Sequence, residues 1–281
     1  MTHPLWIVDA FTAEPFAGNP AAVCLLDRPA DALWMQAVAR ELGLSETAFL
    51  HTEGDAYRLR WFTPATEVEI CGHATLASAH VLWTEGLLPS STPAAFDTLS
   101  GRLRAERSGQ WIGLDFPAFA TKPAVSPPGL SEALGAKPVA VARCADDYLV
   151  ELADESTVRT LAPDARALAR LPLRGVIVTA PAANGETSAD STAAPSAGAV
   201  DGLIHDFVSR FFAPGYGVDE DPVTGFAHCI LGPYWAARLG RTTLVGYQAS
   251  ARGGYVRVTL RDGRAILGGR AVTVVRGDLV P

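Results

Sequence analysis

The feature that most restricts the fold is an internal rhyme. Residues 67–87, EVEICGHATLASAHVLWTEGL, and residues 219–239, DEDPVTGFAHCILGPYWAARL, share one layout. Each runs from an acidic loop through a single glycine, Gly72 or Gly225, into an apolar, small-residue stretch with helical character. A glycine ends each stretch, Gly86 in the first and Gly240 in the second. Strand-like segments lie around both. The simplest architecture is α+β, with two similar lobes, each a curved sheet or barrel around a central helix. The two helix N-termini would then face each other across a cleft.

Local patterns fill in this outline. Strands are expected at 5–11 and, after a Gly/Asn/Pro turn, within 15–26. Residues 31–44 have helical spacing, with Asp31 at the start and Gly43 as the stop. Residues 45–51 are β-like, 57–63 alternate as a strand, 72–86 form the first apolar helix, and 99–117 form a hairpin turning at 108–110. The Pro-rich segment 118–129 reads as a linker between an N-terminal lobe, 1–117, and a C-terminal lobe, 130–264. In the second half, 138–153 give two strands, 156–171 a helix, 175–180 and 205–214 strands, 224–240 the second apolar helix, and 253–277 a terminal set of strands. The small, polar run 181–200 reads as a surface loop with no catalytic role.

Charge and composition exclude several functions. A net charge of −7 and a pI near 5.4 disfavour binding to nucleic acid or to an anionic membrane, since both need a basic patch. No apolar run is long enough for a transmembrane helix. The first residues, MTHPLWIVDAFTAEPF, lack the basic and apolar regions of a signal peptide, so a cytoplasmic protein is expected. Cys24, Cys71, Cys144 and Cys229 are far apart with no CxxC pair, which points to reduced thiols. The histidines are equally scattered, and His73 with His80 reads as a shared helix face rather than a metal site. No GxGxxG follows a strand and no GxxxxGK[ST] occurs, so neither metal, nucleotide nor flavin is expected as a cofactor.

A helix N-terminus presents unpaired backbone N–H groups and a positive dipole end. Gly72 and Gly225 would let a carboxylate approach those groups closely. A turn role alone explains both glycines equally well.

Five stretches occur in consistent order over nearly the whole chain: VDAFTAEPFAGNPAAVCLL, SETAFL, RWFTPATEVEICGHATLASA, RFFAPGYGVDEDPVTGFAHC and the weaker YQASARGG. They resemble the phenazine-biosynthesis, PhzF-like isomerase family, in which CGHAT and EDPVTG are specific motifs. The resemblance implies the diaminopimelate epimerase-like fold with the active site in the cleft between the lobes, strands near 265–281 that return to the first lobe, a small-molecule substrate and a homodimer. Two-base racemases of this fold use one cysteine from each lobe. Cys71 stands at the first of those positions, while the second falls near Val223 and Thr224 and has no thiol. Cys71 therefore reads as a small packed residue.

The resemblance implies instead a single carboxyl group, Glu46, as general acid/base. Burial beside Thr47, Ala48 and Phe49 would raise its pKa toward the useful range; without the family, a solvent-facing strand Glu is the plainer reading. His73 and Asp221 would orient and polarise the substrate, and Asn19 would line the site or serve a turn. Glu69, Glu220 and Arg252 are weaker candidates. Family members commonly have Ser after the Gly of DPVTG, but this chain has Phe226, which removes a hydroxyl donor and adds a ring that would close part of the pocket or stack on a flat substrate. The expected reaction is an allylic proton shift of the kind the family performs on trans-2,3-dihydro-3-hydroxyanthranilate. The alternatives are a racemase or epimerase of the same fold using Glu46 with Cys71, and a ligand-binding protein that has lost turnover.

Overall fold

The structure is a computed structural model that describes residues 2–183 and 203–280; most of the 181–200 segment lies outside the described residues. The chain forms two compact units. Unit 1 comprises Met1–Asp115 with Ile266–Pro281, and unit 2 comprises Phe116–Ala265.

Unit 1 begins with β1 (His3–Ala10), β2 (Asn19–Leu25), α1 (Ala32–Leu42), β3 (Glu46–Glu53), β4 (Ala56–Phe62), β5 (Glu67–Val68), α2 (Gly72–Thr84), β6 (Ala94–Thr98), β7 (Gly101–Ser108) and β8 (Trp111–Pro117). The boundaries of α1 follow from its caps. Asp31 accepts the Leu33 and Trp34 N–H groups at 2.9 and 3.3 Å. Gly43 ends the helix in the left-handed region, φ 64°, and donates its N–H to the Ala39 carbonyl.

Unit 2 contains β9 (Lys122–Pro123), α3 (Leu130–Leu134), β10 (Ala140–Cys144), β11 (Asp147–Glu151), α4 (Glu155–Thr160), α5 (Ala165–Leu168), β12 (Gly175–Pro181), β13 (Phe207–Ala213), β14 (Val218–Asp221), α6 (Gly225–Leu239), β15 (Thr243–Gln248) and β16 (Gly254–Arg261). The chain then passes through β17 (Arg264–Gly269), which pairs with β8, into β18 (Ala271–Leu279). β18 lies antiparallel to β1, so residues 266–281 complete unit 1.

The rhyme in the sequence is a rhyme in topology. In unit 1 the pairs β1/β2, β3/β4 and β6/β7 are antiparallel, while β2/β3 and β4/β6 are parallel. In unit 2 the pairs β10/β11, β12/β13 and β15/β16 are antiparallel, while β11/β12 and β13/β15 are parallel. The short strand before each central helix repeats as well, β5 on β4 and β14 on β13. Each parallel step needs a crossover. α1 and α2 provide them in unit 1; α4 with α5, and α6, provide them in unit 2.

Both central helices are buried on nearly every face. In α2, Ala74, Leu76, Ala77, Ser78 and Ala79 are inaccessible, and the helix packs on β1, β2, β3, β7 and β18. In α6, a Cβ on Gly232 would stand 2.5 Å from Val258 Cγ1, so only glycine admits this approach to β16. Pro233 lies inside α6 and cannot donate to the Cys229 carbonyl. Phe119 N–H takes that acceptor instead, at 3.0 Å, so the buried carbonyl stays satisfied.

Two sequence expectations need correction. The helix read over 156–171 is two short helices, α4 and α5. Pro163 removes a donor and pushes Ala162 out of the helical region, and Asp164 then caps a fresh start by accepting the Ala167 N–H at 3.0 Å. The acidic segment before α6, read as a loop, contains the strand β14.

Candidate active site

The Glu46 group lies wholly within unit 1. β2 and β3 are parallel, with Glu46 opposite Ala21, which fixes Glu46 as the first residue of β3. α2 packs on the same strands and places His73, its second residue, against that position. His73 Nε2 stands 3.2 Å from Glu46 Oε2, with side-chain exposures of 7% and 19%. The contact is close in distance but off the angle of a formed hydrogen bond. On the other side of the ring, Cys71 Sγ lies 3.5 Å from His73 Nδ1. Cys71 is the N-cap of α2 in extended geometry, and its carbonyl accepts the Thr75 hydroxyl at 2.5 Å. The thiol read as a packing residue is thus also the neighbour of the candidate imidazole.

Burial pushes the His73 pKa down to about 3, so the ring is neutral at ordinary pH and its contact with Glu46 is no ion pair. A neutral imidazole has one N–H. In the tautomer whose Nδ1 accepts from the Cys71 thiol, that N–H is on Nε2, the ring nitrogen nearer Glu46. The three donor atoms of Glu46, Cys71 and His73 lie within 4.8 Å of one another. The short contacts use opposite ring nitrogens, Nε2 toward Glu46 and Nδ1 toward Cys71, so the three side chains stand in a row, Glu46–His73–Cys71. Asn19 starts β2 two residues before Ala21 and is fully buried.

Unit 2 carries different residues at the equivalent places. Gly175 starts β12 opposite Asp147, as Glu46 starts β3 opposite Ala21. Phe226 is the second residue of α6, as His73 is of α2, and Thr224 replaces Cys71 as the N-cap. The Phe226 ring lies under the Arg174 guanidinium, 4.6 Å from Cζ to the ring centroid, and against Phe119 at 5.3 Å. Arg174 pairs in turn with the buried Asp147. The ring expected at the substrate thus makes these two contacts within unit 2. Phe226→Ser should destabilise the fold by about 1–3 kcal/mol, less than truncation of a fully buried Phe because the ring is half-buried. A melt of the variant at the wild-type temperature would show instead that the stack carries no stability.

Asp221 ends β14 and belongs to a second network. Its Oδ2 accepts the Thr224 hydroxyl at 2.5 Å, and its carbonyl accepts Gln248 Nε2 at 2.7 Å. Gln248 Oε1 accepts the Thr224 N–H at 2.9 Å, and the Ser250 hydroxyl donates to the Pro222 carbonyl at 2.8 Å. Gln248 and Ser250 thus brace the DPVTG segment. They lie in the weakly matching YQASARGG stretch, and nothing local marked them as partners of a loop more than 20 residues earlier. Among the weaker candidates, Glu220 is a bidentate partner of Arg210, at 2.7 and 2.8 Å. Glu69 is exposed and Arg252 half-buried.

Three histidines, His73 and His228 buried and His80 half-buried, give stability a pH dependence. Burial lowers the pKa of His73 to about 3 and of His228 to about 4. Burial, with the nearby Arg107 charge, lowers that of His80 to about 4. Below pH 6.5 the unfolded chain binds protons that the folded chain refuses, so stability falls as pH drops from 6.5 toward 3–4. At pH 5 each histidine should cost on the order of 2 kcal/mol relative to pH 7. Urea unfolding at the two pH values checks this. His228→Gln should flatten the dependence, and an unchanged slope would remove His228 from the account.

Residues 8–277 match the PhzC-PhzF family of phenazine biosynthesis-like proteins. An uncharacterized isomerase of Halalkalibacterium halodurans is 47% identical over 281 residues, covering 100% of this chain and 99% of that one. A crystal structure of a PhzF family protein from Enterococcus faecalis superposes with a TM-score of 0.90 at 40% identity, over 100% of both chains. A hydroxyproline epimerase from Agrobacterium vitis, 11% identical with a TM-score of 0.58 over 99% of this chain and 92% of that one, shares the fold alone. With its paired α+β units and its match along nearly the whole length, this chain belongs to the phenazine biosynthesis-like, PhzF family of isomerases.

Proposed function

We propose that the chain is a cofactor-independent isomerase that moves a proton, and with it a double bond, on a small carboxylate- or amine-bearing substrate. Glu46 is the general acid/base. As a carboxylate it takes a proton from an activated carbon, and the electron pair of that C–H bond enters the neighbouring π system. As the resulting carboxylic acid it returns the proton to another carbon, so the double bond is displaced and no electrons are gained or lost. His73, being neutral, acts through its N–H and not through charge. It orients Glu46 and polarises the substrate. The backbone N–H groups at the start of α2, where Gly72 carries no side chain, receive a substrate carboxylate. Asp221 is proposed to bind a substrate amine or hydroxyl, and the N–H beyond Gly225 to serve an anionic group.

The observation that carries this reading is the contact of Glu46 with His73 at 3.2 Å in a largely buried setting. The single-carboxylate scheme is supported further by Gly175 and Phe226, which stand at the equivalent positions of unit 2 and can transfer no proton. The test is incubation with trans-2,3-dihydro-3-hydroxyanthranilate in D2O, followed by NMR, beside Glu46→Gln. Deuterium uptake in wild type that vanishes in the variant is the expected result. Equal uptake in both would remove Glu46 from the chemistry, and no uptake in wild type would reject this substrate.

A further inference from the structure

A separate cavity of about 240 Å³ opens in unit 1. Its lining includes His80, Trp83, Arg107, Gln110, Ile112 and Arg270, and it shares no residue with the Glu46 group. His80 and Trp83 lie seven and ten residues beyond His73 on α2, which places them roughly 10–15 Å along the helix axis from it. None of the nine lining residues is acidic, although the chain as a whole carries a net charge of −7. The lining thus brings two guanidinium groups together with no carboxylate side chain among its residues.

The groups around it are held in place. Arg270 stacks over the Trp111 ring at 5.4 Å, and its carbonyl accepts the Thr12 N–H at 3.2 Å. Arg107 Nε donates to the Gly109 carbonyl at 3.1 Å in the β7–β8 turn. His80 Nε2 lies 3.1 Å from Thr273 Oγ1, and Trp83 Nε1 donates to the Thr92 carbonyl at 2.9 Å. Arg107 also acts on His80: its charge adds to burial in disfavouring a proton there. A field that repels a proton attracts an anion. Ala13, Trp83, Ile112, Ala271 and Val272 supply an apolar wall. The volume equals roughly eight water molecules, enough for one small ring.

We propose that this cavity is a binding site for a small aryl carboxylate, with Arg107 and Arg270 holding the oxyanion and Trp83 with Ile112 covering the ring. The site is independent of the isomerase chemistry proposed for Glu46, and neither depends on the other.

The experiment is an NMR titration of the full chain with benzoate, with inorganic phosphate as the second arm, following the ring signals of His80, Trp83 and His73. Saturable shifts at His80 and Trp83, with phosphate binding more weakly for want of a ring, are expected. Arg107→Gln should weaken benzoate by about tenfold, as loss of a hydrogen bond to a charged group implies. Arg261→Gln, a change at an exposed arginine outside the cavity, should leave it unaltered. Arg270→Gln is a second variant, and if it melts early the exposed Arg107 decides alone. Shifts that never saturate, shifts at His73 alone, phosphate binding as tight as benzoate, or equal losses in Arg107→Gln and Arg261→Gln would each overturn the proposal.

Discussion

Glu46→Gln should lower the rate of proton exchange by roughly 100- to 10,000-fold, the range that a positioned general acid/base supplies. Gln has the same shape but cannot accept a proton from carbon and return it. The fold should not notice. Glu46 is held by backbone pairing with β2, and its contact with the neutral His73 is no ion pair. Both kcat and kcat/KM should fall together, since a proton acceptor is used in the transition state and contributes little to ground-state binding. Glu46→Asp keeps the carboxylate but withdraws it by one methylene, and should recover only part of the rate. Cys71→Ser tests the other end of the row: the hydroxyl can still donate to Nδ1, so most activity should survive. Parallel urea curves for wild type and Glu46→Gln, with activity lost, complete the expectation. A residual rate within tenfold of wild type would mean that another group carries the proton.

What the sequence disclosed follows from how far each signal reaches. The two central helices were legible because their small apolar residues and terminal glycines are local features, and α1 because Asp31 and Gly43 act within one turn of its ends. The split between α4 and α5 was also written locally, in Pro163, and was outweighed by the helical spacing around it. β5 and β14 are two and four residues long, too short for alternation to register. The site is different in kind. Glu46 and His73 are 27 residues apart and meet only because β2 pairs with β3 in parallel while α2 packs on both. No periodicity carries that information, so Glu46 entered through resemblance and not through its own surroundings. The same limit hid the stack of Asp147, Arg174, Phe226 and Phe119, whose members come from four separate segments of unit 2.

Gly18→Ala should be the most damaging single-methyl change near the Glu46 group. Gly18 has φ 64°, and a Cβ there would lie 2.1 Å from the Ala10 carbonyl oxygen and 2.7 Å from Thr12 Cγ2. The carbonyl cannot retreat easily, because Ala10 pairs with both Asn19 and Ala271. The loop is also fixed from within: the buried Asp9 accepts the Phe16 N–H at 2.7 Å, and Phe11 and Phe16 themselves have positive φ. The left-handed backbone costs about 1 kcal/mol or more for alanine, and forcing a methyl into a packed site typically adds 1–3 kcal/mol, for a total of about 3 kcal/mol. For a chain of this size that is a fall in Tm of roughly 6–12 °C. Gly43→Ala is the matching control. It has the same φ of 64° but nothing within 4 Å of its Cβ, so it should show the backbone cost alone. The difference between the two melts measures the clash. Activity should follow stability in Gly18→Ala, because Asn19 and Ala21 position the strand against which Glu46 is registered, whereas Glu46→Gln should lose activity with no change in melting. Equal melts for Gly18→Ala and Gly43→Ala would show that the Ala10 carbonyl yields, and that this loop is not the rigid support of the site.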